Sequence, residues 1–272
     1  MRYTTLSFML ITLALPCLHA SAQNRPAATE IVEKSQQAFY YPGTDMKANM
    51  TMELITADGK KRTRVLTMLR KNDPKTTHQK YFLYFHEPGD VRRMAFLVWK
   101  YPERDDDRWI FIPAVNMVRR VAARDSRASF VGSDFTYEDV SGRDVSADTH
   151  TLLREERLGN ADCYVVQSAF KAAADYTKKL AWIDKKTFLP LKEEYYDAQN
   201  QLARLFMADK IENVAGEGAR KSYQTVTKRT MKNIKSGHRT EVTFTNIAYD
   251  VGLDDSIFSE RSLQNAPQQW IK

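Results

Sequence analysis

The sequence predicts a mainly β protein, an antiparallel sheet that meanders or curls towards a barrel, with little helix. Three observations lead there. Short runs rich in Val, Ile, Leu, Phe, Tyr, Met and Trp recur from residue 47 to residue 249, spaced by about ten residues and bounded by turn formers. Several alternate with period two, as Ala48, Met50, Met52 and Leu54 do. Helical spacing over a long window occurs at residues 27–40, where Ile31 and Val32 are followed by Ser35, Ala38 and Phe39.

Thr29, Glu30 and Glu33 mark the start of that helix, and Pro42-Gly43 ends it. Strands are predicted at 47–56 and 61–70, joined by the hairpin turn Ala57-Asp58-Gly59-Lys60. Strands at 79–86 and 93–101 follow, split by Glu87-Pro88-Gly89-Asp90. Both are apolar on both faces, Phe82 and Tyr84 against Tyr81, Leu83 and Phe85 in the first; such strands are covered on both sides. One face would pack on a helix and the other line a cavity. Trp109-Ile110-Phe111-Ile112 stops at Pro113, which cannot donate to a sheet ladder, and 115–121 resumes. Further strands are expected at 152–158, 162–170, 179–184, 189–197, 202–214, 221–228 and 239–249, with a turn at 172–175 among those between them. Asp254 caps a short helix, and Leu263 and Trp270 are expected to pack back on the sheet.

Of the 272 residues, 43% are apolar and 28% charged, which places the chain among globular proteins. The net charge of +7 is spread out, with no dense Lys/Arg block, so nucleic acid is not an expected partner. Residues 1–22 read as a secretory signal: Arg2, the apolar run 8–15, and Ala20-Ser21-Ala22 as the cleavage site. Pro16 before Cys17 argues against lipidation. Cleavage would leave Cys163 as the sole cysteine, in the apolar run Cys163-Tyr164-Val165-Val166, where a buried strand thiol is expected rather than a nucleophile. A single domain over 23–272, soluble and monomeric in a bacterial periplasm, is the expectation.

The stretch 105–143 differs in texture. The strand 115–121 carries Arg119 and Arg120, and after it Arg124, Asp125, Arg127, Phe130, Gly132, Asp134, Phe135, Tyr137, Glu138, Asp139, Gly142 and Arg143 interleave charges with aromatics and glycines, without strand or helix period. This reads as a structured loop with its own hydrogen-bond plan. Arg119, Arg120, Arg124, Arg127, Asp134, Tyr137, Glu138 and Asp139 are candidates for two roles: an ion-pair network pinning the loop, or a docking surface.

The same stretch carries a resemblance. Asp107-Arg108-Trp109, Ile112-Pro113-Ala114, Arg119-Arg120-Val121 and above all Ser129-Phe130-Val131-Gly132-Ser133-Asp134-Phe135-Thr136-Tyr137-Glu138-Asp139 resemble a segment of bacterial outer-membrane lipoprotein-sorting proteins, the LolA-like superfamily. The resemblance implies a mainly β fold with α, a strongly bent antiparallel half-barrel with helices covering the concave face. It also implies acyl chains of lipids or lipoproteins as cargo, and an inner-membrane RND-type transporter as partner.

No catalytic constellation stands out. Asp105-Asp106-Asp107 are neighbours whose side chains point to opposite faces of a strand. His19, His78, His86, His150 and His238 lack metal-ligand spacing. There is no nucleophile elbow, P-loop, Rossmann glycine pattern or CxxC. Neither an enzyme nor a cofactor or metal is expected. The positive feature is apolar: a sheet that does not close tightly leaves a concave face. Met50, Met52, Leu54, Leu66, Met68, Phe82, Tyr84, Phe96 and Phe111 are the candidate lining for acyl chains, methionine suiting varied cargo. A carrier moving lipid or lipoprotein between the inner and outer membranes is the reading this supports. A periplasmic module docking on an inner-membrane partner is the alternative.

Overall fold

The computed structural model describes residues 26–171, 176–219 and 221–271. The signal peptide read at 1–22 and the turn read at 172–175 lie outside the described residues.

Helix α1 (Ala28–Tyr40) leads into thirteen strands among the described residues: β1 (Asp45–Ile55), β2 (Lys61–Asn72), β3 (Gln79–Glu87), β4 (Ala95–Lys100), β5 (Asp107–Ile112), β6 (Met117–Val121), β7 (Asp148–Leu158), β8 (Ala161–Phe170), β9 (Lys178–Asp184), β10 (Pro190–Tyr196), β11 (Leu202–Ala215), β12 (Ser222–Asn233) and β13 (Arg239–Tyr249). A short helix α2 (Tyr137–Ser141) lies between β6 and β7, and α3 (Glu260–Gln264) and α4 (Gln268–Ile271) follow the sheet. All strands belong to one antiparallel, unclosed, curved sheet in the order β6-β5-β4-β3-β2-β1-β13-β12-β11-β10-β9-β8-β7. Each wing is a meander, and β1 pairs with β13 at the centre. The predicted β class is therefore the observed one, and each predicted strand has its counterpart.

Pairing register decides which side chains share a face. Met50 stands opposite Leu66 and Phe244, and Met68 opposite Leu83. Leu83 stands opposite Phe96, and Phe96 opposite Ile110. These residues and their counterparts Phe206, Met231 and Val242 on the other wing form one buried cluster, so this is the inner, concave face where the wings approach. The next residue along each strand faces outward. Leu69, Phe82, Ala95, Leu97, Trp109 and Phe111 form a second cluster, closed by Leu253, Ile257, Phe258, Leu263 and Ile271 from the C-terminal segment. Asp254 caps the turn Asp255–Phe258 by accepting from the Ser256 amide at 2.7 Å. Trp99 Nε1 donates to the Phe258 carbonyl at 2.8 Å, which fixes the strap on the sheet.

The half-barrel expectation needs one refinement. Not every helix covers the concave side: α1 and α2 do, whereas α3 packs on the outer face against β4 and β5 and α4 joins it there through Trp270 and Ile271. Inside lie α1 and a largely irregular segment, residues 122–147, that runs from β6 to β7. α1 is tied down at its C-terminus, where orphan carbonyls need donors. Arg70 donates to the Tyr40 and Pro42 carbonyls, Gln79 Nε2 to Tyr40 at 2.9 Å, and Asn72 Nδ2 to Tyr41 at 3.0 Å and Gly43 at 2.7 Å.

Candidate functional site

The concave face is divided. On the β1–β5 wing it is mostly apolar, with Met46, Met50, Met52, Leu66, Met68, Leu83, Phe85, Phe96 and Ile110, and with Arg64 opposite Met52 and Arg70 opposite Met46 as buried cations. On the β7–β12 wing the same face carries polar and charged groups, because Arg229 stands opposite Val242, Glu193 opposite Phe206, Tyr195 opposite Arg204, and Lys179 opposite Tyr195. Ser168 and His150 continue the polar band. The sheet is thus amphipathic across its width, not only from face to face.

Residues 122–147 fill the apolar side. Phe130 is 2% exposed, with its ring 5.2 Å from Phe96, 5.6 Å from Tyr137 and 6.0 Å from Phe85. Phe135, Tyr137 and Val140 join the same cluster. The hairpin that presents Phe130 has Val131 (φ +50°) and Gly132 (φ +77°) at its centre. Two successive positive φ angles are what a type I′ turn requires, and the Ser133 amide closes it on the Phe130 carbonyl at 3.0 Å. Valine rarely tolerates that region, so the turn is held by its surroundings. Thr136 and Asp139 form a capping box for α2: Asp139 accepts from the Thr136 amide at 2.7 Å and Thr136 from the Asp139 amide at 3.2 Å. Gly142 (φ +81°) passes α1 so closely that a Cβ there would lie 2.8 Å from the Tyr40 ring.

Polar tethers hold the segment at both ends of the concavity. Arg204 donates to Asp139 at 2.5 Å and to the Tyr176 hydroxyl at 2.6 Å. Asp134 accepts from Thr240 at 2.8 Å and lies 2.6 Å from His238 Nδ1. Ser141 donates to Asp106 at 3.0 Å, and Lys100 to the Gly142 carbonyl at 2.9 Å. Arg143 pairs with Glu138 at 3.0 Å and Asp148 at 2.9 Å. Burial pushes the Asp139 carboxyl up, but the Arg204 guanidinium and the Thr136 amide outweigh it and hold it below its ordinary value. Burial likewise opposes the charge on Lys179, and Glu193 at 2.7 Å more than restores it.

With the segment in place, the cavity left beneath it and α1 is about 80 Å³. That is far below the roughly 300–1,000 Å³ of a usual ligand site. The structure is a closed one. A larger recess of about 450 Å³ lies by Lys71, His78, Lys80, Trp99 and Tyr101 at the far ends of β2–β4. Its rim is polar, and Lys71 and Lys80 are already paired with Asp255.

Of the candidate lining residues, Met50, Met52, Leu54, Leu66, Met68 and Phe96 are on the concave face. Phe82, Tyr84 and Phe111 are not: they lie on the outer face beneath the C-terminal strap. The reason is register. Leu83, not Phe82, pairs with Met68, and Ala95, not Phe96, pairs with Phe111. Of the loop candidates, Asp134 and Asp139 are tethers, and Arg127 lies 3.9 Å from Glu138 within the network. Tyr137 is buried beside Phe130 and Phe96. Arg119, Arg120 and Arg124 are exposed; Arg120 pairs with Asp107 and Arg124 approaches Asp125 at 3.8 Å. Sequence reading missed Lys179, Glu193, Arg204 and Arg229. Their signal was a charged residue at an inward position of a strand, as Arg204 is between Ala203 and Leu205. Among the described residues there is no His/Cys/Asp/Glu group of metal-holding size, and no helix long and apolar enough to cross a membrane.

An open, strongly curved antiparallel sheet with its concavity covered by a helix and a connecting segment defines the LolA-like fold. The family follows from the sequence: residues 77–265 match a model whose description is "uncharacterized protein"-like, and the chain belongs to that family, DUF1329. A DUF1329 family protein from Desulfovibrio piger is 28% identical, with TM-score 0.78 over 87% of this chain and 98% of that one. A domain from Vibrio parahaemolyticus, described as an outer membrane lipoprotein-sorting protein, is 26% identical, with TM-score 0.79 over 87% and 98%. The LolA superfamily protein NE2245 from Nitrosomonas europaea shares the fold at 21% identity, with TM-score 0.65 over 87% and 99%. No curated protein matches the chain.

Proposed function

We propose that this protein is a periplasmic carrier that takes acyl chains of a lipid or lipoprotein into its concave face and moves them between the inner and outer membranes. One observation carries the reading. The apolar half of the concavity is occupied by the chain's own Phe130, Phe135, Tyr137 and Val140, on a segment with little regular structure held by polar tethers. These side chains stand where cargo would lie. Burying a side chain of this kind contributes about 1.5–3 kcal/mol, so displacing four costs about 6–12 kcal/mol. An acyl chain of about fifteen methylenes at about 0.8 kcal/mol each returns about 12 kcal/mol. The exchange is near balance, as reversible loading and release require. No covalent step is needed.

Native mass spectrometry of protein purified gently from a periplasmic extract, followed by lipid extraction, tests this. A co-purifying acylated species supports the carrier and names the cargo class. A protein that arrives empty and refuses added lipid sinks the reading.

The exposed Arg119, Arg120 and Arg124 beside exposed Val115 and Met117 favour a second, compatible role: docking on an inner-membrane partner, such as an RND-type transporter. Charge reversal at Arg119 and Arg120 should abolish binding to that partner and leave lipid uptake intact. Docking that survives the reversal places the contact elsewhere.

A further inference from the structure

The charged wing of the concavity is almost fully paired. Lys179 is matched by Glu193, Arg204 by Asp139, Arg143 by Glu138 and Asp148, and Asp144 by Lys100. Arg229 is the exception. Among the described residues its side chain has neither a hydrogen bond nor an ion pair, and its Nε is buried without a partner. Its guanidinium sits instead among three rings, 5.0 Å from the centre of Phe244, 5.3 Å from Phe135 and 5.5 Å from Phe39. Aromatic faces attract a cation but do not replace a lost hydration shell. Burial accordingly pulls the Arg229 guanidinium below its ordinary value, with Tyr40 and Asp139 acting the other way; an arginine remains cationic throughout.

Its position is as telling as its lack of a partner. Arg229 lies on β12 at the border between the two halves of the concave face. It lines the charged cavity shared with Glu193 and Arg204, the neighbouring hollow by Met46 and Met68, and the one by Met50 and Met52. Phe135, one of the rings over it, belongs to the covering segment. Lifting that segment would uncover the methionine face together with two unpaired cations, Arg229 at the border of the two halves and Arg64 opposite Met52, and of these Arg229 is the one that lines the cavities.

We propose that Arg229 is the counter-charge for an anionic head group, so that the cargo is an anionic amphiphile, with a carboxylate or phosphate on Arg229 and its chain along the methionine face. The inference rests on the carrier reading and narrows its cargo. A guanidinium offers five donors in a planar fork that suits either anion. The amphipathic division of the face then orients the ligand: head towards β9–β12, tail towards β1–β4.

The test is a competition titration on the full mature chain with palmitate and methyl palmitate, which differ in the charge of the head. Wild type should prefer palmitate at least tenfold. Arg229→Met keeps the length and removes the charge; it should bind methyl palmitate as wild type does and lose the preference. Arg229→Lys should keep most of it. A melting curve for each variant checks folding, and retained methyl palmitate binding is the internal control. Equal binding of the two ligands by wild type, or an undiminished preference in Arg229→Met, overturns the head-group assignment while leaving the carrier standing. Binding of neither ligand by wild type overturns both. Displacement of palmitate by millimolar inorganic phosphate would mark a small-anion site and also overturn the amphiphile assignment.

Discussion

Phe130→Ala separates a cover that opens from a plug that belongs to the fold. Phe130 is nearly fully buried and meets Phe85, Phe96 and Tyr137. Truncating such a residue in a rigid core costs about 3–5 kcal/mol. If residues 122–147 open to admit cargo, the loss falls on the closed state alone. A change of about 3 kcal/mol then raises the open population about a hundredfold, and apparent affinity for an acyl ligand rises with it, up to the point where the open form dominates. Global stability falls by less than the full amount, because the open form remains native. If the segment is instead an inseparable part of the core, the full loss appears as a fall in Tm of about 6–20 °C, and affinity does not rise. The assay is a fluorescent fatty-acid titration beside a thermal melt of the empty protein. Unchanged or weaker binding with the full fall in Tm would refute the cover.

Three further outcomes are expected. Asp139 is held below its ordinary value in the folded chain, so its contribution is complete at neutral pH and is lost as pH falls below about 4, through the folded value; proteolysis within 122–147 should accelerate there, and Asp139→Asn should show that susceptibility already at pH 7. Phe258→Ala strips the strap of its most buried ring and should lower stability by about 3–5 kcal/mol in chemical denaturation, without altering acyl-ligand affinity, because the strap lies on the outer face. Burial, with Asp184 nearby, pushes the Cys163 thiol up to about 11, so it should resist a thiol reagent at pH 8 until denaturant is added.

The strands were legible because their signal is local: alternation and turn residues fall within one run, and Ala57-Asp58-Gly59-Lys60 announces its hairpin by itself. Which face a residue shares with its neighbours is not local. β3 and β4 are apolar on both faces, so nothing within either run told Phe82 from Leu83; only pairing with β2 does that. The same limit hid Arg229, a charged residue in a strand that reads as solvent-facing until its partner Val242 is known to point inward. The texture of 105–143 did announce a hydrogen-bonded loop. It could not show that Phe130 and Phe135 sit across the concavity rather than beside it.

That last point has a cause in the strand order. β6 and β7 are consecutive in the chain yet form the two opposite margins of the sheet, because the pairing of β1 with β13 sits at the middle. Whatever joins β6 to β7 must therefore stretch from rim to rim, like the string of a bow. It cannot be trimmed away without severing the chain's path, and its length helps fix how far the limbs are drawn together. If the chain loads cargo as proposed, loading is a slackening of the string rather than the swing of a hinged door, and the span between the two rims should widen.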